Sequence, residues 1–341
     1  MSDSAVLTLA PQPAWQTLVN GPSTLSGYAL SVNQLLHPNG VTAYLYPIVG
    51  VTFSPVIDLT ASTPSAYSDC SGWVNYVLDS VAPIHEAEVN AEKNLNYFNL
   101  GTIAAYNSQT SQPTTIVDNE AVQPWARADV LQYFFGNDTS PANGFEPITN
   151  FASLQAGDLI AYSTGIYTDL NAGPSAGSNP TLAATGDTGH TMVVVGAPTV
   201  LSAIAVGGTG LSSNAVTVYE VPVVDDSSVP HLNDDRNYVV PTVTPNLPAN
   251  ISPSLLIGGG VGSGTLSFAA DANGNIIQLR FAPEDPWFPN DLDDTGGSNA
   301  AISFSAARLT PDITLTGTLA VNMFPNAAST ISGTTYNAGE Q

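Results

Sequence analysis

The most regular apolar pattern in the chain runs from Cys70 to Val81. Cys70, Trp73, Val74, Val77, Leu78 and Val81 recur at the three-and-four spacing of one helical face. Ser68 or Asp69 supplies an N-cap in front of it, which sets Cys70 in the first turn, and Pro83 ends the helix. The polar segment after it, with His85, Glu86, Glu88, Glu92 and Lys93, carries only a weak helical pattern. A second helix is predicted over Pro124 to Gly136, with Pro124 in the first turn and Gly136 as C-terminal cap. Its Trp125, Ala128, Leu131, Phe134 and Phe135 form a packing stripe. The rest reads as β. Residues 1–60 are strands and loops, with Tyr44 to Val51 apolar but broken by Pro47 and Gly50. Past Phe151, Leu154 to Tyr162 is a turn feeding a strand, and Gly189 to Gly196 is a buried strand with a histidine at its mouth. Ala215 to Val224 is another strand, ending in Asp225 and Asp226. Thr265–Ala270 and Ile276–Phe281 form a hairpin that turns at Asp271 to Asn275. Between these, Tyr167 to Asp187 is a Gly/Ser/Asn/Pro loop long enough to act as a flap. No repeat of fixed period is present.

Composition narrows the function. The 341 residues, 43% of them hydrophobic, support a real core in one large or two ordinary domains. Five cations (Lys93, Arg127, Arg236, Arg280, Arg308) stand against 28 acids, a formal charge of −23. Such a surface cannot neutralise phosphates, which excludes nucleic acid and anionic membranes as partners at neutral pH. A turn-rich surface of uncharged polar residues fits a secreted or periplasmic bacterial protein, or one that works in acid. Protonation would relieve self-repulsion there, so acid tolerance is expected. The segment Met1-Ser2-Asp3-Ser4-Ala5 lacks the basic start of a signal peptide, so export would require a signal already removed or another route. No run approaches the ~18 apolar residues of a membrane span. A single cysteine allows neither an internal disulfide nor a thiolate-rich metal site.

That cysteine carries the candidate chemistry. In the first turn of a helix, free N–H groups and the helix dipole favour a thiolate, and Gly72 leaves room beside the sulfur. A lone cysteine on an apolar helical face is otherwise a small buried hydrophobe, so catalysis requires an imidazole and a third group to orient it. His190, after a glycine and at the mouth of a buried strand, is the best base. Asp225 and Asp226 end the neighbouring strand and point to opposite faces, so only one of them can orient the ring. His37 and His85 read as surface residues. His231, with Asp234, Asp235 and Arg236, reads as a surface ion-pair cluster or as a wall of the site. No metal or cofactor is assigned. Asp271 to Asn275 resembles half a calcium loop, but Ile276 stands where that loop needs Gly and no Glu closes it. Asp291, Asp293 and Asp294 read as an acidic turn. The Gly258–Gly264 run leads into neither Lys-Ser/Thr nor a helix. It is read as a close backbone approach under the sheet rather than a phosphate loop.

Asp69-Cys70-Ser71-Gly72-Trp73-Val74 resembles the cysteine signature of NlpC-type, papain-like cysteine peptidases. Ala156-Gly157-Asp158-Leu159-Ile160-Ala161-Tyr162 and Gly189-His190-Thr191-Met192-Val193-Val194 resemble that family's turn-strand and histidine strand, in the same order. The resemblance spans about residues 60–282. It implies an α+β fold, a papain-like NlpC-type core with the cysteine helix packed on an antiparallel β-sheet. On this reading residues 1–59 are a β-rich N-terminal extension, 60–285 the catalytic domain and 286–341 a β-rich tail packed on it. It further implies Cys70 as nucleophile, His190 as general base and Asp226 as third member, with Asp225 the alternative. The family's Tyr-x-x-Gly-Gly approach to the cysteine is absent here, and Tyr67 is the nearest phenol to an oxyanion. Tyr67, Ser71 and His231 are the candidate helpers. The implied activity is hydrolysis of an amide bond, in a peptide or in peptidoglycan peptide, through an acyl-enzyme. The alternatives are an acyl or amide transferase on the same residues, or a non-catalytic secreted binding protein on the same fold.

Overall fold

The computed structural model describes residues 24–37, 39–45, 56–92, 103–107, 112–116, 125–163, 189–249, 251–288 and 303–310, and short strands at 312–314, 318–321, 329–332 and 335–337. The predicted flap at Tyr167–Asp187, the acidic turn at Asp291–Asp294 and the end of the strand predicted over Tyr44–Val51 lie outside the described residues.

Helix α1 (Leu25–Leu36) starts where the Thr24 hydroxyl accepts a hydrogen bond from the Gly27 amide. It stands in a region predicted to hold only strands and loops. Strands β1 (Val41–Leu45), β2 (Val56–Asp58) and β3 (Ser65–Ser68) follow, and β3 leads directly into α2 (Cys70–Val81). The Asp69 carboxylate caps α2 by accepting from the Gly72 amide at 2.6 Å, and the predicted face of Trp73, Val74, Val77 and Leu78 is fully buried. Pro83 ends α2 as predicted and opens α3 (Pro83–Glu92), because a missing N–H is harmless at the first helical position. Strands β4 (Ile103–Asn107) and β5 (Gln112–Ile116) pair as a hairpin.

Of the helix predicted over 124–136, only α4 (Ala128–Tyr133) is α-helical; residues Phe134–Asp138 widen into a π turn. Its predicted stripe of Trp125, Ala128, Leu131, Phe134 and Phe135 is buried. Next in the chain are β6 (Phe145–Pro147), β7 (Leu159–Ser163), β8 (Gly189–Val194), β9 (Thr199–Ser202), β10 (Thr217–Ser227), β11 (Leu256–Ile257), β12 (Gly260–Ala270), β13 (Ile276–Arg280) and β14 (Ser303–Leu309).

Eight strands make one antiparallel sheet in the order β13-β12-β10-β8-β7-β14-β6, with β9 lying beside the first half of β10. A smaller sheet, β11-β1-β3-β2, joins it through the β11–β12 connection. In the smaller sheet β1 and β3 run parallel while the other pairs are antiparallel; the chain is therefore α+β, helices packed against a large antiparallel sheet. Both faces of the large sheet are buried. Leu159, Ala161, Val193 and Val224 pack on one face against α1, α2 and α4, while Ile160, Tyr162, Met192, Val194, Val221 and Val223 pack on the other against Phe151, Leu154, Phe268 and Leu279. This two-sided burial is why the strands read as unbroken apolar runs. β14 is inserted between β7 and β6, and Arg308 fixes it by a two-toothed ion pair to Asp158, at 2.8 and 2.9 Å. Among the described residues no helix is long and apolar enough to cross a membrane.

Candidate active site

One end of the large sheet gathers the start of α2, the mouth of β8, the end of β10, the start of β12 and the loop that follows β10. Cys70 touches β8 twice. Its Sγ lies 3.9 Å from the Gly189 carbonyl oxygen, and its own carbonyl accepts a 3.0 Å hydrogen bond from Thr191 Oγ1. His190 sits between these two contacts in the chain, with its ring on the sheet face opposite Thr191, beside Tyr162 and Phe281. Gly189, at φ +132°, has no side chain to stand between the sulfur and the strand end. Cys70 is 4% and His190 6% exposed, so the corner is nearly closed.

β10 continues past Val224 through Asp225, Asp226 and Ser227, all buried, and the two acids do point to opposite faces. The acid that meets the ring is Asp225, whose Oδ2 lies 2.5 Å from His190 Nε2. This corrects the expectation for Asp226, which instead accepts a hydrogen bond from Ser68 on the helix side of the sheet. With Nε2 occupied, Nδ1 is the His190 nitrogen left for a reacting partner.

The two acids differ electrically as well. Burial pushes Asp225 upward, but the Arg236 guanidinium, the His231 ring and hydrogen bonds from both histidines outweigh it and hold the carboxyl well below the usual 3.8. Burial also pushes Asp226 upward, and there the Ser68 hydrogen bond does not offset it. With Asp69 and Asp225 nearby adding repulsion that Arg236 does not cancel, Asp226 lies well above the usual value. Asp69 is raised by burial too, in spite of Arg127, the Gly72 amide, the Ser71 hydroxyl and the His190 ring, which pull it down.

The remaining candidates are placed as follows. His231, read as more surface-like, is buried. Its Nε2 lies 2.9 Å from the same Asp225 oxygen and its Nδ1 2.9 Å from the Val229 carbonyl. His85 is also buried rather than at the surface, with Nε2 3.2 Å from the Thr310 carbonyl. His37 is half-buried near Val261. Tyr67 donates its hydroxyl to the Pro245 carbonyl at 2.9 Å, and burial pushes the phenol up to about 12, so the group is spent on the loop. Ser71 donates to Asp69 and accepts from Trp125 Nε1, within the cap of α2. Arg236, read with His231 as part of a surface cluster or a wall of the site, is buried against Asp225; Phe281 was not singled out from the sequence. Phe281 lies against both imidazoles, with ring centroids at 5.7 and 5.5 Å.

The Gly258–Gly264 run enters β12, and there the close approach is real. A Cβ at Gly262 would fall 2.2 Å from Arg236 Cγ, and one at Gly264 2.6 Å from His231 Cβ. Among the described residues, His190, Asp225 and His231 present ligand atoms within 4.8 Å of one another, close enough for a metal ion. The guanidinium on the same carboxylate places a fixed cation beside that position. The half calcium loop is closed on itself, since Asp271 accepts from the Asn273 and Asn275 amides and from the Asn275 side chain.

Compared with protein-family models, with curated proteins and with solved structures, the chain has no match in any of the three.

Proposed function

We propose that the protein is a secreted cysteine hydrolase of the NlpC-type, papain-like kind, which cleaves an amide bond in peptide or peptidoglycan peptide. The observation that carries this reading is the meeting of two elements 120 positions apart in the chain. The capped start of α2 brings Cys70 against the mouth of β8, where His190 is held through Nε2 by a buried, ionised Asp225. A nucleophile at a helix start, an imidazole on the strand it touches and a carboxylate behind that imidazole are the parts from which acyl transfer is built.

In this mechanism the Cys70 thiol passes its proton to His190 Nδ1, and the thiolate attacks the carbonyl carbon, forming a C–S bond while the π electrons move to oxygen. The backbone amides at the start of α2 face that oxyanion. Collapse breaks the C–N bond, and the amine leaves with the proton from His190 Nδ1. Water then attacks the thioester as Nδ1 takes its proton, and the C–S bond breaks to release the carboxylic acid and the thiolate. An amine in place of water would make the same residues a transferase.

The test uses the single thiol. Wild-type protein should release peptides from purified peptidoglycan, and its thiol should react with iodoacetamide well below the pH at which an ordinary thiol ionises, about 8.5. Cys70→Ala should abolish release and keep its melting temperature within a few degrees of wild type. Peptide release that survives the substitution, or a thiol inert until denaturation, sinks the hydrolase reading; the inert thiol would favour a binding protein on the same fold.

A further inference from the structure

Resting on that reading of Cys70 and His190, we infer that His231 and Arg236 are positioning residues of the same site. They fix Asp225, and through it the His190 ring, in one orientation, in a space cleared by Gly262 and Gly264.

Three side chains share one carboxylate. Asp225 Oδ2 meets the Nε2 atoms of both His190 and His231, and Oδ1 meets Arg236. Arg236 cannot shift to follow a moving acid. Its Nε donates to the Gly260 carbonyl at 2.8 Å, Nη1 to Asp234 at 2.9 Å, and Nη2 to the carbonyls of Asp225 and Gly262 at 3.0 and 2.7 Å. His231 is as tightly held. Nδ1 lies against a backbone carbonyl and Nε2 against the Asp225 carboxylate, so both ring nitrogens are engaged. The other titratable groups packed around this carboxylate and its histidine are Asp69 and Cys70 at the start of α2, Tyr162 on β7, Asp226 on β10 and Asp234 and Tyr238 in the loop.

The backbone is shaped to admit both side chains. Gly262 is the direct cross-strand partner of Asp225, and Gly264 stands two residues along on the same face. A Cβ at either would occupy the place of Arg236 or His231. The glycine run, the loop and the second histidine thus serve one carboxylate.

A structural ion pair and a positioning pair differ in what they do to the sulfur. Iodoacetamide alkylation of the full chain should be followed from pH 4 to 9 for wild type, His231→Gln and Arg236→Lys, with melting curves for each. Gln keeps a donor for Asp225 without the imidazole and its hold on Val229. If His231 positions and polarises the site, the acid limb of His231→Gln moves up by about one pH unit. Alkylation at pH 6 then falls about tenfold while the protein stays folded at 25 °C. Arg236→Lys keeps the charge but not the fork. It should slow alkylation less at pH 6 than His231→Gln does, and it carries the test should His231→Gln not fold. Folded variants with the wild-type profile overturn this inference and leave Cys70 and His190 standing. A wild-type thiol with an ordinary profile overturns both. Zn²⁺ titrated calorimetrically into the Cys70→Ala protein is the last arm. Micromolar binding that His231→Gln removes would make the three residues a metal centre and overturn the inference, whereas no binding supports it.

Discussion

Asp225 and Asp226 are adjacent, both buried and formally identical, yet their surroundings assign them opposite states. Asp225 is an anion held by Arg236, His231 and His190, while burial and its acidic neighbours favour the protonated form of Asp226 beside Ser68 and Asp69. Asp225→Asn should therefore leave His190 without its orienting anion and lower kcat by roughly 10²-fold or more. It also leaves Arg236 buried against a neutral group, so the melting temperature should fall as well. Asp226→Asn puts a neutral amide of the same shape where the structure favours a neutral acid. It should keep turnover within a few-fold of wild type and raise the melting temperature at pH 7 by a few degrees, because the unfolded chain no longer gains by ionising there. Steady-state rates and melting curves of the two variants, side by side, check both statements. The sequence alone separates these acids only as far as strand parity. Which one faces the ring depends on the pairing of β10 with β8, fixed by Val223 with Val194 and Val224 with Val193, and no local pattern encodes that register.

At the scale of elements, what could be read from sequence depended on contrast between apolar and polar positions. α2 was legible because its stripe is unbroken and its cap is an aspartate. α1 was not, because Ser26, Ser31 and Asn33 are buried along with its apolar residues, which blurs the helical period. β10 ran three residues further than predicted because two charged residues that usually mark a strand end are here satisfied inside the protein. His231 looked like part of a surface cluster for the same reason. Its burial depends on Gly264, 33 positions further along the chain, which only the fold brings to it. β14 had no legible place at all, since nothing local tells a strand that it will be inserted between β7 and β6. The glycines of β12 offer a test at this scale. No left-handed backbone is required at Gly262 or Gly264, so Ala there acts by contact alone. Each substitution should destabilise by about 1–3 kcal/mol through overpacking, read from denaturant midpoints. Gly264→Ala should also lower thiol reactivity by displacing His231, and an unchanged reactivity would uncouple that loop from the sulfur.

For the whole molecule the pH dependence of stability follows from which carboxyls are raised and which are lowered. Asp69, Asp79, Glu88 and Asp226 all sit above their ordinary values, with burial the leading cause in each. A carboxyl raised in the folded state binds its proton more tightly there than in the unfolded chain. Stability therefore rises as pH falls from neutral towards the ordinary carboxylate range. The formal charge of −23 acts in the same direction, since protonation reduces self-repulsion. Asp225 and Asp235 oppose it. Burial raises both, but Asp225 is drawn down further by Arg236 and the histidines, and Asp235 by Asn33, Ser263 and His37. Their contribution is intact above the unfolded value of 3.8 and is lost only as pH falls through their lower folded values. The melting temperature should accordingly climb from pH 7 to about pH 4.5 and collapse below about pH 3.5, the values being set by the ordinary carboxylate range. Asp226→Asn should flatten the climb, because one of the groups that drives it has gone. A melting temperature that falls steadily from pH 7 to pH 4.5 would mean that the raised acids do not govern the balance, and acid tolerance would lose its physical basis.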